Sequence, residues 1–76
     1  MDYQKYITIN QKIMAGKPVI TGTRIPVDLV LKKLAQKMDI KEIMHDYPRL
    51  KKEAILAALW FAGEFITQEE IYPLTA

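Results

Sequence analysis

From Val27 onward the apolar positions of the chain fall into a helical period. Val27, Val30, Leu31 and Leu34 occupy i, i+3, i+4 and i+7, one face of a helix, with Lys32 and Lys33 on the other. Asp28 sits in the first turn, where a negative charge suits the helix dipole. Ile40, Ile43, Met44 and Tyr47 repeat the same spacing, and Asp39 with Glu42 three residues on forms a capping-box pair ahead of them. Pro48 disfavours helix at Tyr47 and ends this second run. A third helix is predicted from about Lys51 to Phe65. Before Val27 the period is different. "YITI" (Tyr6 to Ile9) alternates β-forming residues and reads as a short strand. "PVIT" (Pro18 to Thr21) reads as a second, with Pro18 at its start, where a missing N–H does least harm. Asn10, Ala15 and Gly16 supply the turn chemistry of a loop or hairpin between them, and Ile13 and Met14 are expected to add a further strand-like piece. The order is strands, then three helices, in a mostly α fold.

The third helix departs from the amphipathic pattern of the first two. Ala54, Ile55, Ala58, Leu59, Ala62 and Phe65 make one apolar stripe, and Leu56, Ala57, Trp60 and Phe61 fill most of the remaining circumference. A helix apolar nearly all round is buried on more than one side. Two strands and two short helices do not suffice to cover it, so Leu56 and Trp60 are expected to meet another chain. The alternative is that the C-terminal "TQEEIYPLTA" folds back over them.

The stretch "GKPVITGTRIPVDLVLKKL", residues 16–34, places two glycines and a lysine ahead of a helix, as phosphate-binding loops do. The spacing excludes that chemistry. A phosphate loop opens its helix at the lysine after the second glycine, so that backbone N–H groups surround the anion. Here Thr23, Arg24, Ile25 and Pro26 intervene, and Pro26 has no N–H. Gly16 and Gly22 are expected instead to supply backbone dihedrals that a side chain resists. Arg24 has two readings: it holds an internal carboxylate or carbonyl, or it reaches a DNA phosphate or a partner chain.

A chain of 76 residues is one domain, and at that size a lone core is marginal. Cysteine is absent, which removes disulfides, and His45 has no cysteine with which to share a zinc. Self-association or a protein partner is therefore the expected source of extra stability, with no metal and no cofactor. The apolar runs fall short of a membrane span, and "MDYQKYITIN" lacks a signal-peptide core, so a cytoplasmic protein is expected. Net charge is +2 but unevenly placed. All 11 Lys and Arg lie in residues 1–52 against five acids, whereas residues 53–76 hold four acids and no cation. Such asymmetry points to a nucleic-acid-facing body and an acidic end with a different partner. Catalysis finds little support: there is no serine or cysteine nucleophile, and His45 has no triad partner. We expect no catalytic residue.

Three consecutive helices with a tight turn between the second and third suggest helix-turn-helix geometry. The third helix would then bring Arg49, Lys51 and Lys52 towards a major groove. Deeper positions offer Ala, Leu and Trp rather than the Asn, Gln or Arg that read base edges, so contact with DNA should be largely electrostatic. Lys12, Lys17 and Arg24 of the strand region would contribute alongside the helix.

"GKPVITGTRIPVDLVLKKLA" followed by "DIKEIMHDYPRLKKEAILAAL" resembles the small prokaryotic family of domain of unknown function 433. Gly16, Lys17, Pro18, Gly22, Thr23, Arg24, Ile25, Pro26 and Val27 match its first block. Glu42, Ile43, Tyr47, Pro48, Leu50, Ile55, Ala57, Ala58 and Leu59 match its second, so the resemblance spans roughly residues 6–63. The family usually has a glycine between its first two helices and a Ser or Thr cap; here Lys37 and Asp39 stand in those places. The resemblance implies a three-helix, helix-turn-helix-like (homeodomain-like) bundle with a small N-terminal β-hairpin over residues 1–66, followed by an acidic tail, 67–76. It also implies an antitoxin of a type II toxin–antitoxin pair, which neutralises a small PIN-like nuclease and binds operator DNA as a homodimer. The residue chemistry then assigns Lys12, Lys17, Arg24, Arg49, Lys51 and Lys52 to DNA. It assigns Leu56, Trp60, Phe61, Phe65, Ile66, Ile71 and Tyr72 to the dimer or toxin interface. Two alternatives stay open, a standalone DNA-binding regulator and an oligomerisation module that binds no DNA.

Overall fold

A computed structural model describes residues 2–68. A 3-10 turn at Tyr3–Tyr6 leads into strand β1 (Ile7–Thr8), which pairs antiparallel with β2 (Val19–Ile20), Ile7 opposite Ile20 and Thr8 opposite Val19. Helices α1 (Val27–Ala35), α2 (Ile40–Asp46) and α3 (Lys52–Gln68) follow. The fold is mostly helical with a small N-terminal two-stranded sheet, as the periodicity predicts. Each strand is shorter than predicted, and the reasons are local. Tyr6 belongs to the 3-10 turn, capped by the Asp2 carboxylate, which accepts the N–H of Gln4 at 3.2 Å. The strand-like piece expected at Ile13 and Met14 does not form. The Asn10 side chain accepts from the Lys12 N–H and its carbonyl from the Ile13 N–H, which curls the chain early. Met14, Ala15 and Gly16 then run through left-handed φ values of +52°, +55° and +83°. At Gly16 the left-handed φ favours glycine, and a Cβ there would lie 2.8 Å from the end of the exposed Gln11 side chain, which can swing aside.

Strand β2 is held on both sides. The Thr21 N–H donates to the Tyr6 carbonyl, while the N–H groups of Ile20 and Val27 bond to the carbonyls of Ile25 and Pro18, each at 2.9 Å. The reversal between them is a tight turn closed by the Thr23 N–H on the Ile20 carbonyl, with Gly22 at φ +79° in its third position, where a left-handed residue is needed. The Thr23 hydroxyl donates to the same carbonyl at 2.7 Å and accepts from the Ile25 N–H at 3.0 Å. Gly22 therefore serves a turn. Pro26 caps α1, at a position where its missing N–H leaves nothing unsatisfied.

The helices end as their sequences dictate. At the end of α1 the Lys37 N–H reaches the Leu34 carbonyl at 3.0 Å and the Met38 N–H reaches the Lys33 carbonyl at 3.2 Å. These are the two bonds of a Schellman cap, with Lys37 in its left-handed position at φ +69°. Helix α2 begins with the predicted capping box: Asp39 accepts the Glu42 N–H at 2.8 Å, and Glu42 accepts the Asp39 N–H at 3.3 Å. It stops at Tyr47, one residue before Pro48.

Val30, Ile43, Leu50 and Ile55 are fully buried at the centre, with Ile20, Val27, Ala54 and Ala58 around them. The expected faces of α1 and α2 are the ones that pack. In α3 the buried face is rotated from the expected stripe. Ala54, Ile55, Ala57 and Ala58 are buried and Phe61 packs on the core, but Leu59 is 46% exposed and Phe65 57% exposed. A helix apolar nearly all round gives periodicity no single face to choose, and the run of alanines wins because it allows the closest approach. Trp60 is half-buried, its ring 6.1 Å from that of Tyr3. The cover expected from another chain or from the C-terminal segment thus comes in part from the N-terminal turn. Helix α3 continues past Phe65 to Gln68; residues 69–76 of the predicted tail lie outside the described residues. Among the described residues no helix is long and apolar enough to cross a membrane.

Lysine at the left-handed cap position costs about 1–2 kcal/mol that glycine does not, partly offset by the greater backbone freedom of glycine in the unfolded chain. Lys37→Gly is expected to stabilise the fold by about 0.5–1 kcal/mol, a rise of a few degrees in Tm for a domain this size. Thermal denaturation followed by circular dichroism checks this; an unchanged or lower Tm would remove the strain assigned to Lys37.

Candidate functional site

Two turns meet on one surface of the molecule. The turn between β2 and α1 presents the carbonyl of Gly22, and the turn between α2 and α3 presents Arg49, whose guanidinium donates to that carbonyl at 3.2 Å. An open depression of about 530 Å³ lies there, walled by Arg24, Arg49 and Thr23 over the apolar side chains of Ile13 and Val19. A neighbouring depression of about 300 Å³ is lined by Lys5, Tyr6, Thr21, Arg49 and Lys51. Arg49 belongs to both. The structure therefore brings together Arg24 with Arg49 and Lys51 from two separate stretches of sequence, and adds Lys5 from a third, which sequence reasoning missed. Only the folding of the 3-10 turn against the sheet places Lys5 here, and its ammonium lies 5.3 Å from the centre of the Tyr6 ring. Among the described residues no acidic side chain lines either depression.

The other predicted DNA residues sit elsewhere. Lys17 is bound to Asp28, Nζ to Oδ2 at 2.9 Å, with Lys32 3.8 Å from the same oxygen. Lys12 and Lys52 are exposed and line neither basic depression. The carbonyl-holding role considered for Arg24 belongs to Arg49; Arg24 itself is exposed. Among the described residues the ion pairs are those at Asp28, so Lys5, Arg24, Arg49 and Lys51 carry no carboxylate partner there.

A second surface forms at the C-terminal half of α3. Phe61 stacks on Phe65, ring centres 6.4 Å apart and planes 27° from parallel, and makes a ridge. On one side an open groove of about 290 Å³ is lined by Ile7, Ile9, Trp60 and both phenylalanines. On the other a groove of about 270 Å³ is lined by Pro18, Leu31, Ala62 and Ile66, with Lys17 and Asp28 on its wall. Phe65, Ile66 and Ile9 are each more than half exposed. Of the predicted interface residues, Trp60, Phe61, Phe65 and Ile66 share this surface. Leu56 is half-buried one turn earlier on α3, and Ile71 and Tyr72 lie outside the described residues. The signal for Ile9 was its place at the end of "YITI", which the strand reading absorbed.

Among the described residues no three His, Cys, Asp or Glu side chains come close enough to hold a metal ion. His45 is exposed on α2 beside Asp46. Asp28 has a displaced titration. The hydrogen bond from Lys17 holds its carboxyl below the ordinary value, against an opposing effect of burial, and the charges of Lys17 and Lys32 add to the lowering.

Comparison with known proteins places this arrangement in context. The family model described as "Protein of unknown function (DUF433)" matches residues 7–62, which takes in β1 through most of α3. No curated protein matches the chain. The crystal structure of a DUF433 member protein from Anabaena variabilis ATCC 29413 is similar at a TM-score of 0.77 and 31% identity, over 86% of this chain and 64% of that one. The present chain thus spans just under two thirds of that protein's length.

A carboxyl whose value is lowered on folding contributes stability that is present above its ordinary value and lost as the pH falls through the folded one. For Asp28 that loss begins below the ordinary value of 3.8. Urea denaturation at neutral pH and near pH 3 should show a smaller acid-induced loss for Asp28→Asn than for the unaltered chain. The difference will be small because the pair is exposed. Equal losses in the two proteins would remove the Lys17–Asp28 pair from the stability of the fold.

Proposed function

The chain belongs to the DUF433 family, and we propose that it acts as a non-catalytic antitoxin that captures a small PIN-like nuclease and binds operator DNA as a homodimer. The observation that carries this reading is the apolar ridge at the end of α3. Phe65 and Ile66 are 57% and 54% exposed, flanked by two open grooves. Contiguous apolar surface of this kind marks a site of protein association. Its aromatic composition suits the anchor residues that dominate interface energetics. Glu69 and Glu70 follow the ridge in sequence, and their charge favours a partner with a basic surface, such as an RNA-cleaving enzyme presents to its substrate. The basic depressions share no residue with the ridge grooves, so one protomer has room for both DNA and a protein partner.

The basic surface taken alone favours a second reading, a standalone DNA-binding regulator. Purification of the tagged chain from its native host at mild salt, with mass spectrometry of what accompanies it, separates the two. A stoichiometric small nuclease is the result expected for an antitoxin. Recovery of the chain alone across several growth conditions would move the assignment to the regulator. With the nuclease in hand, Phe65→Asp is expected to lower the Tm by several degrees while the chain stays folded, since it loses the stacking on Phe61, worth about 0.5–1.5 kcal/mol. The same change should weaken capture at least about tenfold, as loss of an interface anchor does. Unaltered capture by Phe65→Asp would remove the ridge from the interface.

A further inference from the structure

We infer that nucleic acid is held by four cations, Lys5, Lys51, Arg49 and Arg24, gathered about the turn of Gly22, and that these supply affinity mainly through the phosphodiester backbone. The inference rests on the reading of this surface as the DNA-binding face and says what that face recognises. Three observations carry it.

First, the cations are gathered. Arg49 lines both depressions, with Lys5 and Lys51 beside it in one and Arg24 in the other. The cations therefore gather around two adjoining depressions rather than scattering over the surface, as in a charged groove that holds a phosphate backbone.

Second, Arg49 is pre-positioned. One N–H of its guanidinium is fixed on the Gly22 carbonyl. A guanidinium has five donors, so the others remain for an anion, and the side chain loses little further freedom on binding. The Gly22 turn is itself locked by the Thr23 hydroxyl and by the Arg49 bond, and the hydroxyls of Thr8 and Thr21 pair at 2.8 Å beside it. Any anion bound here meets a fixed surface.

Third, most of the chemistry for base readout is missing. Arg and Lys can read guanine, but adenine and cytosine are read by Asn, Gln, Asp or Glu, and among the described residues none of those side chains lines either depression. The Thr23 hydroxyl is already engaged on the backbone at both ends. Lys52, the first residue of α3, lines neither depression, so the cations gathered there come from the turns that precede the helices. A free phosphate or mononucleotide offers the same chemistry to Arg24 and Arg49, but it engages only part of the cluster.

The test is fluorescence anisotropy of the full-length chain with labelled duplexes: its own upstream region, a scrambled duplex of equal length, and inorganic phosphate as competitor. Both duplexes are expected to bind, with log affinity falling on log salt at a slope of about −0.9 per phosphate neutralised, so about −3.6 per protomer for the four cations. Arg24→Ala and Arg49→Gln should each reduce that slope by about 0.9 per protomer and weaken both duplexes alike. Lys17→Ala, already paired with Asp28, should leave binding unchanged, and its Tm together with theirs shows that the fold is retained. A salt slope no steeper than about −0.9 for either duplex would overturn backbone gripping while leaving the DNA-binding face in place. Binding unaffected by both arginine substitutions would overturn the cluster itself. No binding to either duplex would overturn the DNA-binding face and the cluster together. Competition by millimolar phosphate as effective as by unlabelled duplex would overturn a polymer partner in favour of a small phosphate ester.

Discussion

The fold depends on how closely the other elements approach the first half of α3. Ala54, Ala57 and Ala58 present almost no side chain, so the sheet, α1 and α2 close directly onto that helix around Ile55. Burial of the Ile43, Leu50 and Ile55 side chains is worth roughly 1.5–3 kcal/mol each. In a chain this small those residues are a large share of what opposes conformational entropy. The same arrangement sets a limit. A 17-residue helix extends about 26 Å, and the short elements before it pack its first half together with Trp60 and Phe61. Among the described residues the apolar side chains beyond, Phe65 and Ile66, stay more than half exposed.

Function follows from that limit and from the turns it organises. Leu50 plugs the core immediately after the turn that carries Arg49, its N–H bound to the Tyr47 carbonyl at 2.8 Å. The burial of Leu50 thereby fixes where Arg49 emerges, and Arg49 in turn reaches across to the carbonyl of Gly22. A core residue, a surface cation and a glycine turn thus form one mechanical unit. The basic surface is anchored at the end of α3 that is fully packed. The apolar ridge grows from the end that is not.

The helices were legible because their signals are local: the 3.6-residue period of α1 and α2, the Asp39–Glu42 box and the Pro48 stop each act within a few residues. The two-stranded sheet was legible in place, and its strands came out shorter because the Asn10 side chain and the Tyr3–Tyr6 turn compete for the same backbone. The face of α3 was not legible, since the helix is apolar all round and only tertiary contact decides between Leu59 and Ala57. The candidate basic residues were chosen by charge alone, which treats Lys17 and Arg24 as equivalent. Asp28, eleven residues from Lys17, separates them. Lys5 was invisible for the converse reason: its partners Arg49 and Lys51 lie more than forty positions away along the chain. Lys37 shows what a local departure can reveal, because the position where the family usually has glycine is the left-handed cap of α1.

The central claim is that two surfaces of one small protomer work independently, a basic cluster at the turns flanking the packed end of α3 and an apolar ridge at its other end. Amide chemical-shift mapping by NMR of the full chain tests it most directly, with a short DNA duplex added first and the nuclease proposed as its partner second. The account predicts that DNA moves the amides of Lys5, Thr21 to Arg24, Arg49 and Lys51 and leaves those of Phe65 and Ile66 in place, and that the nuclease does the reverse. Perturbation of both sets by either ligand alone, or DNA shifts concentrated along Lys52 to Leu59, would contradict it.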